Sequence, residues 1–426
     1  MSAYLFVIGL CVVVIVSFFF NLLAQKTNIP SVLMLILLGL GLQQVLKYFG
    51  IVPEYYNALE VLGIVGLIMI VLEAALDLEL KKEKWPIIWK SFVIAFVSLA
   101  FSSVLIAFVT QFFIQNMEFF PALIYAIPFS IMSSAIIIPS VANLSKDKRE
   151  FMIYESTFSD ILGIMLFYFL IENVNATGAG EIAFAVGSNI FLTLVISVLL
   201  SYGLTYVIQY IKTSARFFLF LAVLVLLYAV AKLFHLSSLL IILMFGLLLR
   251  NHKVLVWGRL RRWLNDKAID GLFENFKMVT IESSFLVRTF FFVVFGISLS
   301  IETLVNWEVW MMSGIFLVIL YVIRFFTFFA VERKDIFPQI FLAPRGLISI
   351  LLFFAIPDDF KVPEFESGAL LVVIIFSSLI MAWSLISETS KSRSSKKNGD
   401  DDSNLPAGPT EEKSSRNHFD EYFYRN

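Results

Sequence analysis

Residues 151–171 read FMIYESTFSDILGIMLFYFLI. A helix rises 1.5 Å per residue, so a stretch of this length covers the ~30 Å hydrocarbon core of a bilayer. Yet its first half carries two carboxylates, Glu155 and Asp160, among the hydroxyls of Tyr154, Ser156, Thr157 and Ser159. Ionisable groups are costly at membrane depth and mark ion or proton pathways there. Whether this stretch lies in a membrane depends on the rest of the chain.

The remainder settles the class. Of 426 residues, 59% are hydrophobic, 46 are phenylalanine and only 15% are charged, against about 25% charged in soluble domains. A mean hydropathy of +0.87 excludes a soluble globule, a disordered chain and a secreted disulfide scaffold. It also excludes a transmembrane β-barrel, whose strands alternate instead of running apolar. What remains is an all-α polytopic membrane protein, since helices satisfy their own backbone groups in lipid. The formal net charge of −1 gives no argument for nucleic acid. Cys11 is the one cysteine, so neither a disulfide nor a thiolate metal site is expected, and no cofactor is implied.

Apolar stretches long enough to span fall at 3–23, 30–46, 58–76, 87–114, 120–143, 151–171, 186–210, 216–232, 236–249, 281–300, 307–329, 337–356 and 366–387. The first lacks a basic n-region and a cleavage site, so it reads as a retained helix. The second and ninth are short for a bilayer. With the N-terminus outside, the inner loops carry eighteen Lys and Arg and the outer loops only Lys47, Lys232 and Lys361. That bias orients the chain with its C-terminus inside. Residues 1–387 are therefore expected to be a thirteen-span domain and 388–426, rich in Ser, Lys and Asp, a disordered cytoplasmic tail. Between Lys253 and Lys277 aromatic and basic residues mix, which suggests an interfacial helix between two halves or a regulatory site.

The charges at membrane depth carry the functional reading. The basic candidates are Arg288, Arg324 and Arg345; the acidic ones are Glu73, Glu155, Asp160 and Glu282. The three histidines, His235, His252 and His418, lie outside the spans or near their ends, so a carboxylate is the expected proton carrier. On a helix, Ser156 and Thr157 share the face of Asp160, four and three residues on, whereas Glu155 points about 140° away. One face thus offers a carboxylate with hydroxyl oxygens, suited to a hard monovalent cation. The other offers a carboxylate that needs a cationic partner, and Arg324 in the eleventh span is the natural one. If the two residues pair, a Glu155→Arg/Arg324→Glu swap should rescue either single change.

Two spans look discontinuous. The fifth holds Pro128, Ser133, Ser134 and Pro139, and the twelfth Pro344, Arg345 and Gly346. Broken helices at matching positions of two halves mark substrate sites in transporters. Spans one to six and eight to thirteen, with the seventh as linker, would be inverted halves placing these two opposite each other. Ordinary kinked helices are the alternative.

At these residues the chain resembles the monovalent cation:proton antiporters, in the NhaP/sodium–proton exchanger branch. Glu73-Ala74-Ala75-Leu76-Asp77-Leu78 looks like the third-helix signature of that family. Glu155-Ser156-Thr157-Phe158-Ser159-Asp160 keeps the spacing of its E-x-x-x-N-D motif, with Ser159 in place of Asn. Arg324 stands where the family has the arginine that pairs with the glutamate, and Pro344-Arg345-Gly346 resembles its L-R-G motif. The Thr-Asp pair usual in the first broken helix is replaced by Ser133-Ser134. The resemblance implies a homodimer in a bacterial inner membrane, with a core domain moving against a dimerisation domain. Its implied activity is exchange of Na⁺ or Li⁺ for H⁺, electroneutral at 1:1 because one carboxylate occupies the Ser159-Asp160 position. K⁺/H⁺ exchange is the alternative, with a channel, which would show flux without counter-transport, further off. An intramembrane enzyme would want a nucleophile, base or metal constellation, and no histidine or cysteine cluster exists to build one.

Overall fold

The structure, a computed structural model, describes residues 3–27, 31–50, 56–115, 117–142, 144–172, 195–207, 210, 216–233, 238–256, 265–299, 305–332, 336–362, 365–366 and 368–401. Among these the chain is helical, without a strand. The helices are α1 (Ala3–Thr27), α2 (Ser31–Tyr48), α3 (Tyr56–Asp77), α4 (Trp85–Phe113), α5 (Phe119–Ser130), α6 (Ser134–Ser140) and α7 (Lys146–Glu172). After α8 (Val195–Val207) come α9 (Arg216–Leu233), α10 (Ser238–Arg250), α11 (His252–Leu255), α12 (Asp266–Ser298), α13 (Trp307–Val331), α14 (Leu347–Phe354) and α15 (Gly368–Asp401). Among the described residues, eight stretches are long and apolar enough to cross a membrane, and Val195–Val207, Leu221–Ala231 and Ile241–Arg250 are shorter apolar helices. The protein is an all-α polytopic membrane protein.

A described helix overlaps each of the thirteen apolar stretches read from the sequence, although 186–194 lies outside the described residues. Two boundaries differ. The tenth span begins at Asp266, not 281, and so absorbs the second half of the expected interfacial segment. Ile269, Phe273, Phe276, Thr280 and Ser284 are all buried; their three- and four-residue spacing continues one buried stripe from the basic segment into the span. Residues 257–264 of that segment lie outside the described residues. At the other end α15 passes 387 and continues to Asp401. Residues 388–398 contain neither glycine nor proline, so nothing local stops the helix there; the rest of the expected tail, 402–426, lies outside the described residues.

The helices pack in two groups. In the first, α12 lies against α1, α2 and α3, and α10 against α3 and α9. Small residues bring these backbones together. A Cβ on Gly296 would lie 2.5 Å from the Ile36 carbonyl oxygen and 2.9 Å from the Cα of Gly39, so α2 and α12 touch main chain to main chain. Without a hydrophobic drive between helices in lipid, such close approach is what holds them. Polar side chains finish the contact: Ser17 Oγ lies 2.7 Å from Thr289 Oγ1, and Gln43 Nε2 donates to the carbonyls of Ile297 and Leu299 at the end of α12.

In the second group, α4 packs on α5, α7 and α13, α7 on α5 and α6, and α14 on α5 and α7. Trp85–Pro86 opens α4, proline being tolerated where no intrahelical N–H is needed. The chain passes between the two groups at Leu78–Lys84, from α3 to α4, and again after α7 and after α12.

Candidate functional site

The fifth span is broken in the middle. Helix α5 ends at Ser130, whose hydroxyl turns back to the Ala126 carbonyl at 3.0 Å. Ile131 and Ser133 are extended, and α6 starts at Ser134. Pro128, inside α5, supplies no N–H to the preceding turn. The twelfth span is broken too, but asymmetrically: one 3-10 turn, Gln339–Phe341, then extended chain through Pro344 to Gly346, then α14. The breaks cross. Ser133 N donates to the Pro344 carbonyl at 2.9 Å. At the crossing a Cβ on Gly346 would stand 2.6 Å from Ser133 Oγ and 2.9 Å from Ile136 Cδ1, so glycine there is a matter of space.

A broken helix leaves carbonyls at one inner end and N–H groups at the other, with partial charges to match. Each charge is met by a side chain from elsewhere. Arg345, buried in the second break, donates to Phe129 O at 2.9 Å, to Ser130 O at 3.4 Å and to its own Ala343 O. It therefore caps α5 from the opposite half of the sequence. Its backbone N–H is held in turn by Ser377 Oγ of α15 at 3.0 Å. At the N-terminus of α6, the Ser134 N–H donates to Asp160 Oδ2 at 2.9 Å. One residue earlier, Ser159 Oγ accepts from Met132 N at 2.9 Å and ties α7 to the break. The serine that stands in the asparagine position thus serves the loop backbone.

Glu155 and Asp160 do have different neighbours. Arg324 of α13 donates to both oxygens of Glu155, through Nη1 and, at 2.9 Å, Nη2. The same guanidinium reaches the carbonyls of Gln339, Ile340 and Leu342, at 2.9 Å, 2.9 Å and 3.3 Å. Both residues are buried, and a charge-assisted, two-pronged contact is the geometry that makes a buried pair tolerable.

The second carboxylate is left incomplete. Asp160 is buried, yet its Oδ1 has no hydrogen-bond partner, and neither has Thr157 Oγ1, three residues back on α7. Buried acceptors without a partner are rare and costly. The two oxygens belong to residues three apart on one helix face, and Oδ2 is already anchored by Ser134. Ser156, also buried, spends its hydroxyl on the Ile153 carbonyl at 3.2 Å.

The other charges at depth stand apart from this cluster. Glu73 of α3 and Arg288 of α12 pair with each other at 3.6 Å, and a turn away Asp77 pairs with Lys277 at 2.6 Å. Glu282 is exposed on the α12 face that carries Met278 and Leu286. Sequence reasoning missed Ser377 and Lys90. Lys90 lies inside the fourth span and meets Glu332 at 3.2 Å. Paired serines in the apolar thirteenth span were the available signal for Ser377; a lysine inside a predicted span was the signal for Lys90.

Residues 12–387 match the profile of a family described as sodium/hydrogen exchanger, transmembrane. No curated protein matches the chain by sequence. Among solved structures, the sodium proton antiporter MjNhaP1 from Methanocaldococcus jannaschii at pH 8 is similar with a TM-score of 0.66 and 17% identity, over 92% of this chain and 100% of that one. An electron-microscopy structure of the same antiporter gives 0.63 and 16%, over 92% and 96%. That likeness is one of fold, while the profile match spans nearly all the helices described above. The chain belongs to the sodium/hydrogen exchanger family, and is a cation/proton antiporter, not an enzyme.

Proposed function

We propose that the protein exchanges Na⁺, or Li⁺, for H⁺ across a membrane by alternating access, with Asp160 holding one cation or one proton but never both. The observation that carries this reading is the pair of partnerless buried oxygens, Asp160 Oδ1 and Thr157 Oγ1. A proton on Oδ1 satisfies the carboxyl alone; a cation between the two satisfies both. Ser133, Ser134 and Ser159 frame the site through the crossing, and Glu155 with Arg324 holds the neighbouring break without taking part in exchange. Because Glu155 is already neutralised, a single charge is free to alternate, which supports electroneutral 1:1 exchange.

The surroundings follow the same reading. The bias of Lys and Arg supports thirteen spans with the N-terminus outside. The group of α4, α5, α6, α7, α13 and α14 would be the moving part, and the group around α12 the scaffold on which two copies associate in a prokaryotic plasma membrane.

The test is a ΔpH-dye assay on proteoliposomes with Na⁺, Li⁺, K⁺ and choline added in turn. Na⁺ and Li⁺ should dissipate the gradient and choline should not; a response to K⁺ alone would replace Na⁺/H⁺ by K⁺/H⁺ exchange. Asp160→Asn should abolish the signal, and retained exchange would place the site elsewhere. A rate that follows an imposed membrane voltage would refute electroneutrality.

A further inference from the structure

Helices α13 and α15 run side by side in one register. Ser313 Oγ donates to Ala369 O at 3.3 Å, and Tyr321 OH donates to Ser377 O at 3.4 Å. Both ties join residues 56 apart in sequence, so the helices are parallel and do not slip over the ~12 Å of helix between the ties. Trp310 meets Phe376 edge-on at 6.0 Å in the same seam. The second break lies against this pair: Phe341 of its 3-10 turn stands 6.1 Å from the Tyr321 ring and 6.0 Å from that of Trp383.

Two serines follow each other on α15, both buried, and they are used differently. Ser378 Oγ has no partner. Ser377 Oγ donates its one hydrogen to Ile374 O at 3.2 Å, which leaves a lone pair for Arg345 N, donating at 3.0 Å. Arg345 lies in extended chain between the 3-10 turn and α14, so no carbonyl of its own helix is in reach of this N–H. A buried N–H without an acceptor is costly. Ser377 thus fixes the main chain of residue 345.

From Arg345 the hydrogen bonds continue to Asp160. The Arg345 side chain holds Phe129 O and Ser130 O at the end of α5. One residue back, Pro344 O accepts from Ser133 N at 2.9 Å. Next to Ser133, Ser134 N donates to Asp160 Oδ2 at 2.9 Å. We propose that Ser377 is a positioning residue for exchange: it touches neither ion, but it sets where the first break stands against Asp160 and thereby the fit of the cation. Tyr321, by holding the Ser377 carbonyl, fixes the level of that hydroxyl along the second break. Ion preference is then governed from a span that contributes no atom to the site. A looser site penalises Li⁺ more than Na⁺, because the smaller of two hard cations needs the closer and more exact set of oxygens.

The inference rests on the exchange reading for its effect on ions but not for the path of hydrogen bonds, and two measurements keep these apart. Hydrogen–deuterium exchange of the full chain in detergent is followed by mass spectrometry in peptides covering residues 131–135. Ser377→Ala should speed exchange there about threefold, the scale of one neutral hydrogen bond. Ser377→Thr, which keeps the hydroxyl, and Ser378→Ala, which removes a hydroxyl without a partner, should match the wild type. An unchanged rate at 131–135 in Ser377→Ala, or an equal rise in Ser378→Ala, overturns the coupling whatever the protein transports. If Ser377→Ala does not fold, Tyr321→Phe carries the same test with a smaller rise, and an unchanged rate counts against the coupling in the same way. In proteoliposomes, the apparent KM for Li⁺ should rise about threefold more than that for Na⁺ in Ser377→Ala, and Ser377→Thr should restore the wild-type ratio. Equal changes in both KM values, or a fall in maximal rate alone, would reduce Ser377 to a packing residue. A wild type that exchanges neither ion would instead strike the proposed function, with hydrogen exchange still deciding the path.

Discussion

Arg324 holds Glu155 by both carboxylate oxygens and, with the same guanidinium, donates to the carbonyls of Gln339, Ile340 and Leu342. The ion pair is thus half of a larger task, closing the inner end of the second broken span. Charge complementarity alone would let a Glu155→Arg/Arg324→Glu swap restore the protein. The carbonyls forbid it, because a glutamate at 324 has nothing to donate to them. Arg324→Ala should cost about 3–5 kcal/mol by stranding a buried charge. The swap should be no more stable than Arg324→Ala in thermal unfolding in detergent; recovery of wild-type stability would reduce the contact to a simple ion pair.

Thr157→Val separates binding from folding. The hydroxyl has no partner, so an isosteric apolar side chain removes no hydrogen bond and should leave thermal stability unchanged or slightly raised. If Thr157 Oγ1 binds the cation, the apparent KM for Na⁺ rises about tenfold, the equivalent of ~1.4 kcal/mol, with little change in maximal rate. An unchanged KM would remove Thr157 from the site.

Competition at one carboxylate has a kinetic signature. Lowering pH on the Na⁺-binding side should raise the apparent KM for Na⁺, by up to about tenfold per unit, the limit for one proton displacing one cation. The maximal rate at saturating Na⁺ should stay constant. A maximal rate that still falls while KM is fixed would mean separate sites for the two ions.

Gly346→Ala tests the crossing of the two breaks. The added methyl meets Ser133 Oγ, Ser133 Cβ and Ile136 Cδ1 at or below 2.9 Å. Displacement should cost about 1–3 kcal/mol and slow exchange without changing ion preference. The check pairs a melting curve with the dye assay; wild-type values in both would show that the breaks have room to separate.

The sequence reveals those parts of the protein that depend on composition and on single-helix geometry. Apolar length locates the spans, and the scarcity of charge makes Glu155, Asp160, Arg324 and Arg345 conspicuous. Five residues of separation already aims the two carboxylates at different neighbours. What stays hidden depends on backbone groups, which carry no residue signature: that Arg345 serves Phe129 and Ser130, that Ser159 serves Met132, and that Asn251 holds Leu78 and Leu80. Helical spacing gives a direction about one axis but not what lies across it. For the same reason the start of α12 is not legible, since its buried stripe runs through a segment whose mixed aromatic and basic residues read as an interfacial helix.

The stitching of α5 by residues 344 and 345 has a consequence for biogenesis. The carbonyls of Phe129 and Ser130 and the N–H of Ser133 find their partners more than two hundred residues later in the chain. While the protein is being made, the first break must wait with those groups unmatched, in water, lipid headgroups or the insertion machinery, until the twelfth span arrives. The proposed cation site is therefore completed only once the twelfth span has been made, and a chain truncated before Pro344 carries Asp160 without that scaffold.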